Sequence, residues 1–242
     1  MSSADFKTCL NHIDVDSVGL FRLFNFGEPL LHPQLPKMLH RVVKWGKAQA
    51  VEVSTNGQFQ VEGAIQEALR MDCIDRLVVS CDGDGTPEDY ERLRPPAKWD
   101  RLMAFLSDVQ ALKNRYGLKA DLVTRNICRG KQAQRTWQRL LDKMGWEPEF
   151  RVMRKTPDSV FGDQQEVSVP KTVCAYLRKP RLYVDATGDV VGCCVHPRAF
   201  VLGSLLRHHY SKIVRGRKRA REVKRLEKYR ELMDICGRCE IT

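Results

Sequence analysis

Residues 51–85 read VEVSTNGQFQVEGAIQEALRMDCIDRLVVSCDGDG. Val51 to Gly57 begins as a β-branched, strand-forming segment and ends in Ser54-Thr55-Asn56-Gly57, a turn. Helical spacing follows from Val61 to Met71. Arg76 to Asp82 is again strand-like, with Leu77-Val78-Val79 at its centre, and Gly83 and Gly85 close it. A strand, a helix and a second apolar strand within one short stretch predict a βαβ unit, whose parallel strands are buried on both faces and joined by a right-handed crossover.

The same alternation extends outward on both sides. Val18 to Phe26 is an apolar run broken only by Arg22 and Asn25, and Leu35 to Trp45 has helical spacing at Leu35, Leu39, Val42 and Val43. Downstream, Trp99 to Tyr116 places Leu102, Phe105, Leu106, Val109 and Leu112 on one stripe. Lys119 to Ile127 then reads as a strand, Gln132 to Met144 as a helix and Glu149 to Met153 as a strand. Ala4 to Ile13 is a short amphipathic helix with Ser3 as its expected cap. The count is five strands with helices between them, an α/β architecture with a parallel sheet. In such folds chemistry gathers where strands end and loops begin. Gly27-Glu28-Pro29, Ser54-Thr55-Asn56-Gly57 and Ser80-Cys81-Asp82 lie at those ends, with Arg125 and Asn126 at the end of the next strand.

Periodicity fades between Thr156 and Val169, which predicts a boundary dividing the chain into 1–157 and 158–242. Beyond it, Arg181 to Asp185, a turn at Gly188 and Asp189 to Cys193 read as a β-hairpin. A basic helix is expected from Val214 to Met233, with Ala220, Val223, Leu226 and Tyr229 as its apolar edge.

Composition narrows the function classes. The chain has 242 residues, 43% hydrophobic, with 41 Lys+Arg against 30 Asp+Glu. No run approaches the roughly 18 apolar residues of a membrane helix, and no secretory signal opens the sequence. A cytoplasmic protein without membrane contact is therefore expected. In that compartment nine cysteines point to metal or redox chemistry rather than disulfides. Cys9, Cys73, Cys81 and Cys128 are scattered and read as small buried hydrophobes. Cys174, Cys193, Cys236 and Cys239 read as a four-thiolate site, which suits a structural zinc or an iron–sulfur cluster. Cys194 rivals Cys193, because adjacent strand residues face opposite ways. His196 is a reserve ligand, while His32, His208 and His209 read as solvated. The charge is local: residues 207–230 hold eleven Lys/Arg against two Asp/Glu, +9 of the chain's +11. Such a run is either a solvated face or a phosphate-binding one.

Cys174-x13-Gly188-x4-Cys193 followed by Cys236-x2-Cys239 resembles the auxiliary-cluster half of radical S-adenosylmethionine (radical SAM) enzymes, the SPASM or shorter twitch extension. Phe24-Asn25-Phe26-Gly27-Glu28-Pro29 is similar to that family's Gly-Gly-Glu-Pro loop, with Phe26 in place of the first Gly. Ser54, Asn56, Ser80 and Asp82 match strand ends that approach SAM. The resemblance implies a partial (βα) barrel followed by a small hairpin-plus-helix domain. It implies one auxiliary [4Fe–4S] cluster on Cys174, Cys193, Cys236 and Cys239, with SAM held by Gly27, Glu28, Pro29, Ser54, Asn56, Ser80 and Asp82. It also implies reduction of SAM to a 5′-deoxyadenosyl radical that modifies a peptide or a nucleobase, with an electron-donor protein as partner. The family's Cys-x3-Cys-x2-Cys motif is absent from the sequence. A late start codon, a split gene with a partner chain supplying the loop, and a degenerate relative all account for this, and truncation is the expectation. The chain alone is then expected to be inactive. The rival reading is a non-enzymatic zinc-ribbon-type protein that binds nucleic acid through 207–230.

Overall fold

A computed structural model describes residues 1–25, 27–151, 168–178, 181–196 and 199–241. The chain divides into two compact units. One comprises Ser17–Phe24 and Glu28–Met153, the other Met1–Asp16, Asn25–Gly27 and Arg154–Thr242. The boundary expected at 157/158 lies outside the described residues, as do Val152 and Met153 at the end of the expected fifth strand.

The first helix, α1 (Ser3–His12), read from the sequence as part of the barrel, groups with the second unit. Its cap is Ser2 rather than Ser3: the Asp5 backbone N–H donates to Ser2 Oγ at 3.0 Å, while Ser3 is buried as the first helical residue.

The sheet unit holds β1 (Phe21–Arg22), β2 (Val51–Thr55), β3 (Arg76–Ser80), β4 (Asp121–Ile127) and β5 (Glu147–Arg151), all parallel and in that spatial order. The connecting helices are α2 (Leu35–Trp45), α3 (Gly63–Arg70), α4 (Pro87–Leu93), α5 (Trp99–Tyr116) and α6 (Gly130–Met144). Each helix forms where its apolar stripe can be covered. Leu102, Phe105, Leu106, Val109 and Leu112 of α5 are all buried, and each such side chain contributes roughly 1.5–3 kcal/mol. The seven-residue α4 went unread in the sequence, too short for periodicity to register. Thr86 caps it, accepting from the Asp89 N–H, and Tyr90 anchors it in the core.

Of the strand expected from Val18 to Phe26, the described residues form two paired positions and a bridge between Val18 and Ala48, and Phe26 lies outside them. β1 is an edge strand among the described residues, and its side chains stay half-buried or exposed, so little burial energy holds it in register. The last strand of this sheet begins at Glu147, two residues earlier than expected.

Strand alternation gives the sheet two different faces. Val53, Leu77 and Val79 are completely buried. The opposite face carries Arg22, Glu52, Arg76, Arg125, Glu149 and Arg151. The wholly buried Glu52 carboxylate accepts from Arg22 Nε at 3.0 Å and Arg76 Nη1 at 3.1 Å. Arg76 also reaches Glu149 at 2.5 Å.

In the second unit, β6 (Tyr183–Val184), β7 (Asp189–Val191) and β8 (Val201–Ser204) form an antiparallel sheet in that order. The hairpin turn uses Gly188 at φ +81°, a left-handed conformation that an L side chain resists. The third strand was not expected, because four residues including Gly203 are too short a pattern to separate from loop. Around the sheet lie α7 (Ala175–Arg178), α8 (Tyr210–Val214) and α9 (Arg217–Tyr229), with 3-10 turns at Arg230–Leu232 and Cys236–Arg238. The single basic helix expected from Val214 to Met233 is thus broken at Gly216, and Tyr229 is 55% exposed rather than part of an apolar edge. Among the described residues no helix is long and apolar enough to cross a membrane.

Candidate functional site

The second unit gathers cysteines that lie far apart in sequence. Cys174 precedes α7, Cys193 follows β7, and Cys236 and Cys239 lie in and just after the last 3-10 turn. All four line one cavity, with His196, Phe200, Leu226 and Arg230 among its other walls. Packing explains the convergence. Cys174, Leu177 and Leu226 form a small buried core, against which Tyr176, Phe200, Val223, Met233 and Cys236 pack. Gly237 lets the terminal pair fold tightly, since a Cβ there would stand 2.6 Å from the Glu231 carbonyl oxygen.

The structure separates Cys193 from Cys194. Cys193 lines the cavity, and its Sγ lies 3.7 Å from the His196 carbonyl oxygen. Cys194 turns instead to Tyr176 and Tyr183. Burial, then the adjacent Cys194 thiol, raises the hydroxyl pKa of both tyrosines, that of Tyr183 to about 12. Burial likewise pushes the Cys236 thiol up to about 12, with Cys193 and Cys174 adding to the shift and Arg230 opposing it. Cys193 is raised by burial too. Such thiols stay protonated in apolar surroundings and give up the proton on metal ligation.

Arg230 is the residue that sequence reading missed, counting it as one cation in a run. Its side chain is only 4% exposed, and its guanidinium donates to four backbone carbonyls. The acceptors are Thr172 at 2.8 Å, Cys239 at 2.9 Å, Ile241 at 2.6 Å and, more weakly, Cys236 at 3.4 Å. It therefore pins the Cys236/Cys239 turn and the residues after it to the segment before Cys174. The available signal was spacing: Glu222, Leu226 and Arg230 recur every four residues, and all three are buried.

Four thiols suit either a structural zinc or an iron–sulfur cluster. A single tetrahedral zinc holds sulfur at about 2.3 Å, which crowds four thiolates round one point. Among the described residues no three Cys, His, Asp or Glu side chains converge that closely.

The strand ends of the sheet unit form a second group. Glu28 caps the 3-10 turn Pro29–Leu31: Oε1 accepts from the Leu30 N–H at 3.1 Å and Oε2 from the Asn56 N–H at 2.8 Å. The loops after β1 and β2 are thereby tied together, so Glu28, Pro29 and Asn56 meet. Ser54 and Ser80 lie at the ends of β2 and β3, each half-buried. Asp82 is placed differently. Its Oδ2 pairs with Arg94 at 2.5 Å and its Oδ1 accepts from the Ile127 N–H at 2.9 Å, so it clamps the β3 loop to the end of β4. Arg125 shares the charged face with Glu149, at 3.3 Å. Asn126 does not join it: fully buried, it donates to the Cys81 carbonyl at 2.8 Å. Gly27 falls in the other unit and is exposed. Of the scattered cysteines, Cys9 and Cys81 are buried as expected, whereas Cys73 and Cys128 are only half-buried.

Comparison with known proteins agrees with this geometry. Residues 174–240 match the SPASM family, an iron–sulfur cluster-binding domain. The whole fold is similar to BtrN solved with AdoMet and 2-DOIA (19% identity, TM-score 0.58, covering 99% of this chain and 80% of that one). It is equally similar to native anSMEcpe with bound AdoMet (13% identity, TM-score 0.59, 99% and 80%) and to hexahistidine-tagged anSMEcpe with bound AdoMet (14%, 0.60, 98% and 79%). Residues 174–240 are SPASM-like, and the likeness to these solved structures is one of fold. No curated protein sequence matches the chain. The SPASM match spans all four cavity cysteines.

Proposed function

We propose that this chain works as a radical SAM enzyme, or as one component of such an enzyme, acting on a peptide or nucleobase substrate with one auxiliary [4Fe–4S] cluster. The observation that carries the reading is the convergence of Cys174, Cys193, Cys236 and Cys239 on one cavity, within a segment matching a cluster-binding family. When bound, the cofactors supply reductive cleavage of SAM and a radical that removes a substrate hydrogen.

The chain's own residues divide the work. The four thiols bind the auxiliary cluster, and Arg230 holds the turn bearing two of them while placing a buried positive charge beside the anionic thiolates. Glu28 keeps lone pairs beyond the two backbone N–H groups it accepts, so it can take a further donor such as an ammonium group of SAM. Ser54 and Ser80 offer hydroxyls at neighbouring strand ends. Asp82 positions rather than binds, since at 4% exposed it is far more buried than the half-buried Glu28 and is held between Arg94 and the Ile127 N–H. The sequence holds no Cys-x3-Cys-x2-Cys. Three thiolates from outside these residues, as a partner chain would bring, and an electron-donor protein complete the radical-generating half.

The test is anaerobic reconstitution of the chain with iron and sulfide. The expected product is brown, with about four irons and four sulfides per chain, and binds SAM with an affinity that Glu28→Gln lowers about 10-fold, or about 1.4 kcal/mol. Colourless protein with a single zinc would refute the cofactor assignment. SAM affinity unchanged in Glu28→Gln would refute the role of that carboxylate.

A further inference from the structure

Helix α9 has two unlike faces. Glu222 and Leu226 are buried, and Arg230 continues that row into the following turn. The opposite face carries Arg217, Arg221, Lys224 and Lys228, at i, i+4, i+7 and i+11, and every one is exposed. At about 1.5 Å per residue the stripe is roughly 16 Å long. Lys218 and Arg225 flank it, and Lys212 and Arg215 precede it, all exposed. Of the two acids on this helix, Glu222 is turned inward, with its carboxylate 2.9 Å from Arg225 and 3.5 Å from Arg221. Glu227 alone opposes the outward charge.

We propose that this cationic stripe docks the phosphate backbone of a nucleic-acid duplex. A solvated helix face in a soluble domain ordinarily mixes both signs, whereas this one repeats a single sign on a helical period. A duplex presents about one negative charge per 1.7 Å along its axis on a stiff surface, so a row of cations on a formed helix meets phosphates with both backbones already ordered, leaving only side-chain ordering to offset. An acidic peptide would have to be ordered first. No aromatic side chain belongs to the stripe, and Tyr229 lies off it, which favours backbone contact over base stacking. The proposal names the substrate polymer of the enzyme described above and rests on that reading for its catalytic meaning, while the docking itself rests on α9 alone.

The experiment is fluorescence anisotropy of the full chain with a labelled 20-base-pair duplex of arbitrary sequence. Four phosphate contacts predict a slope of log affinity against log salt of about −3.6, so affinity falls roughly 100-fold between 50 and 200 mM salt. The quadruple variant R217Q/R221Q/K224Q/K228Q should bind at least ~30-fold more weakly, with a nearly flat salt response, and should keep its iron content because the stripe faces away from the cysteines. Should that variant lose iron, R217Q/K224Q makes the same comparison at half the expected slope change. Unchanged duplex affinity in these variants would overturn the proposal, and so would equal or tighter binding of polyglutamate or of phosphatidylserine vesicles. A colourless protein that still binds duplex through the stripe would sink the cofactor reading alone.

Discussion

Replacing Arg230 gives the sharpest test of how the cysteine cavity is built. Its guanidinium makes three hydrogen bonds of 2.6–2.9 Å and a longer one, to the carbonyls of Cys236, Cys239 and Ile241 and to that of Thr172, two residues before Cys174. A hydrogen bond from a charged donor is worth roughly 1.5–3 kcal/mol net, but part of that returns when freed carbonyls meet water. Thr172 is exposed and Cys239 and Ile241 are half-buried, so such recovery is substantial. Arg230→Ala should therefore cost about 3 kcal/mol, which opens the terminal turn roughly 150-fold more often. Arg230→Lys keeps the charge but replaces a planar fork with a single point of donation, and should fall between. The assay is iron and sulfide per chain after anaerobic reconstitution, followed by the rate at which a ferrous chelator strips the metal. Arg230→Ala should hold less iron and lose it at least ~10-fold faster, while urea unfolding of the parallel-sheet unit stays unchanged. Full iron content with parental release kinetics would show that the turn does not depend on the guanidinium.

The adjacent cysteines should separate cleanly: Cys193→Ser should abolish the visible iron–sulfur absorbance, and Cys194→Ser should leave it intact. Acid should loosen the charged sheet face in a defined window. Burial would raise the Glu149 pKa, but hydrogen bonds from Arg76 and Arg151 outweigh it and hold it at about 2, below the ordinary 4.5. Its stabilising contribution is complete above pH ~4.5 and disappears as pH falls toward 2, so Glu149→Gln should flatten the acid limb of an unfolding-versus-pH curve within that range. Incubating the reconstituted chain by itself with SAM and dithionite should yield no 5′-deoxyadenosine by chromatography, because the sequence has no Cys-x3-Cys-x2-Cys.

Much of the sheet unit was legible in the sequence because its long helices and central strands bury side chains at a regular period. Leu102 to Leu112 announce α5, and Leu77-Val78-Val79 announce a strand covered on both faces. What failed were elements too short to show a period, such as α4 and β8, and the edge strand β1, where apolar residues find little to pack against. The cysteine set was legible from residue type and spacing around Gly188. Chain order alone determined that four thiols recur in a segment able to fold back on itself.

Tertiary structure decided the rest. Whether Cys193 or Cys194 faces the cavity depends on which side of a short, irregular sheet each falls, and neighbours from α7 and β6 settle it. Arg230 is one of eleven cations in its stretch by sequence, yet it is the one whose guanidinium is buried among carbonyls brought from residues 172, 236, 239 and 241. Asp82 reads as a ligand-facing carboxylate, yet packing leaves it 4% exposed between Arg94 and the Ile127 N–H. Residue type and period fix what a side chain can do; only the packing of distant segments fixes which partner it meets.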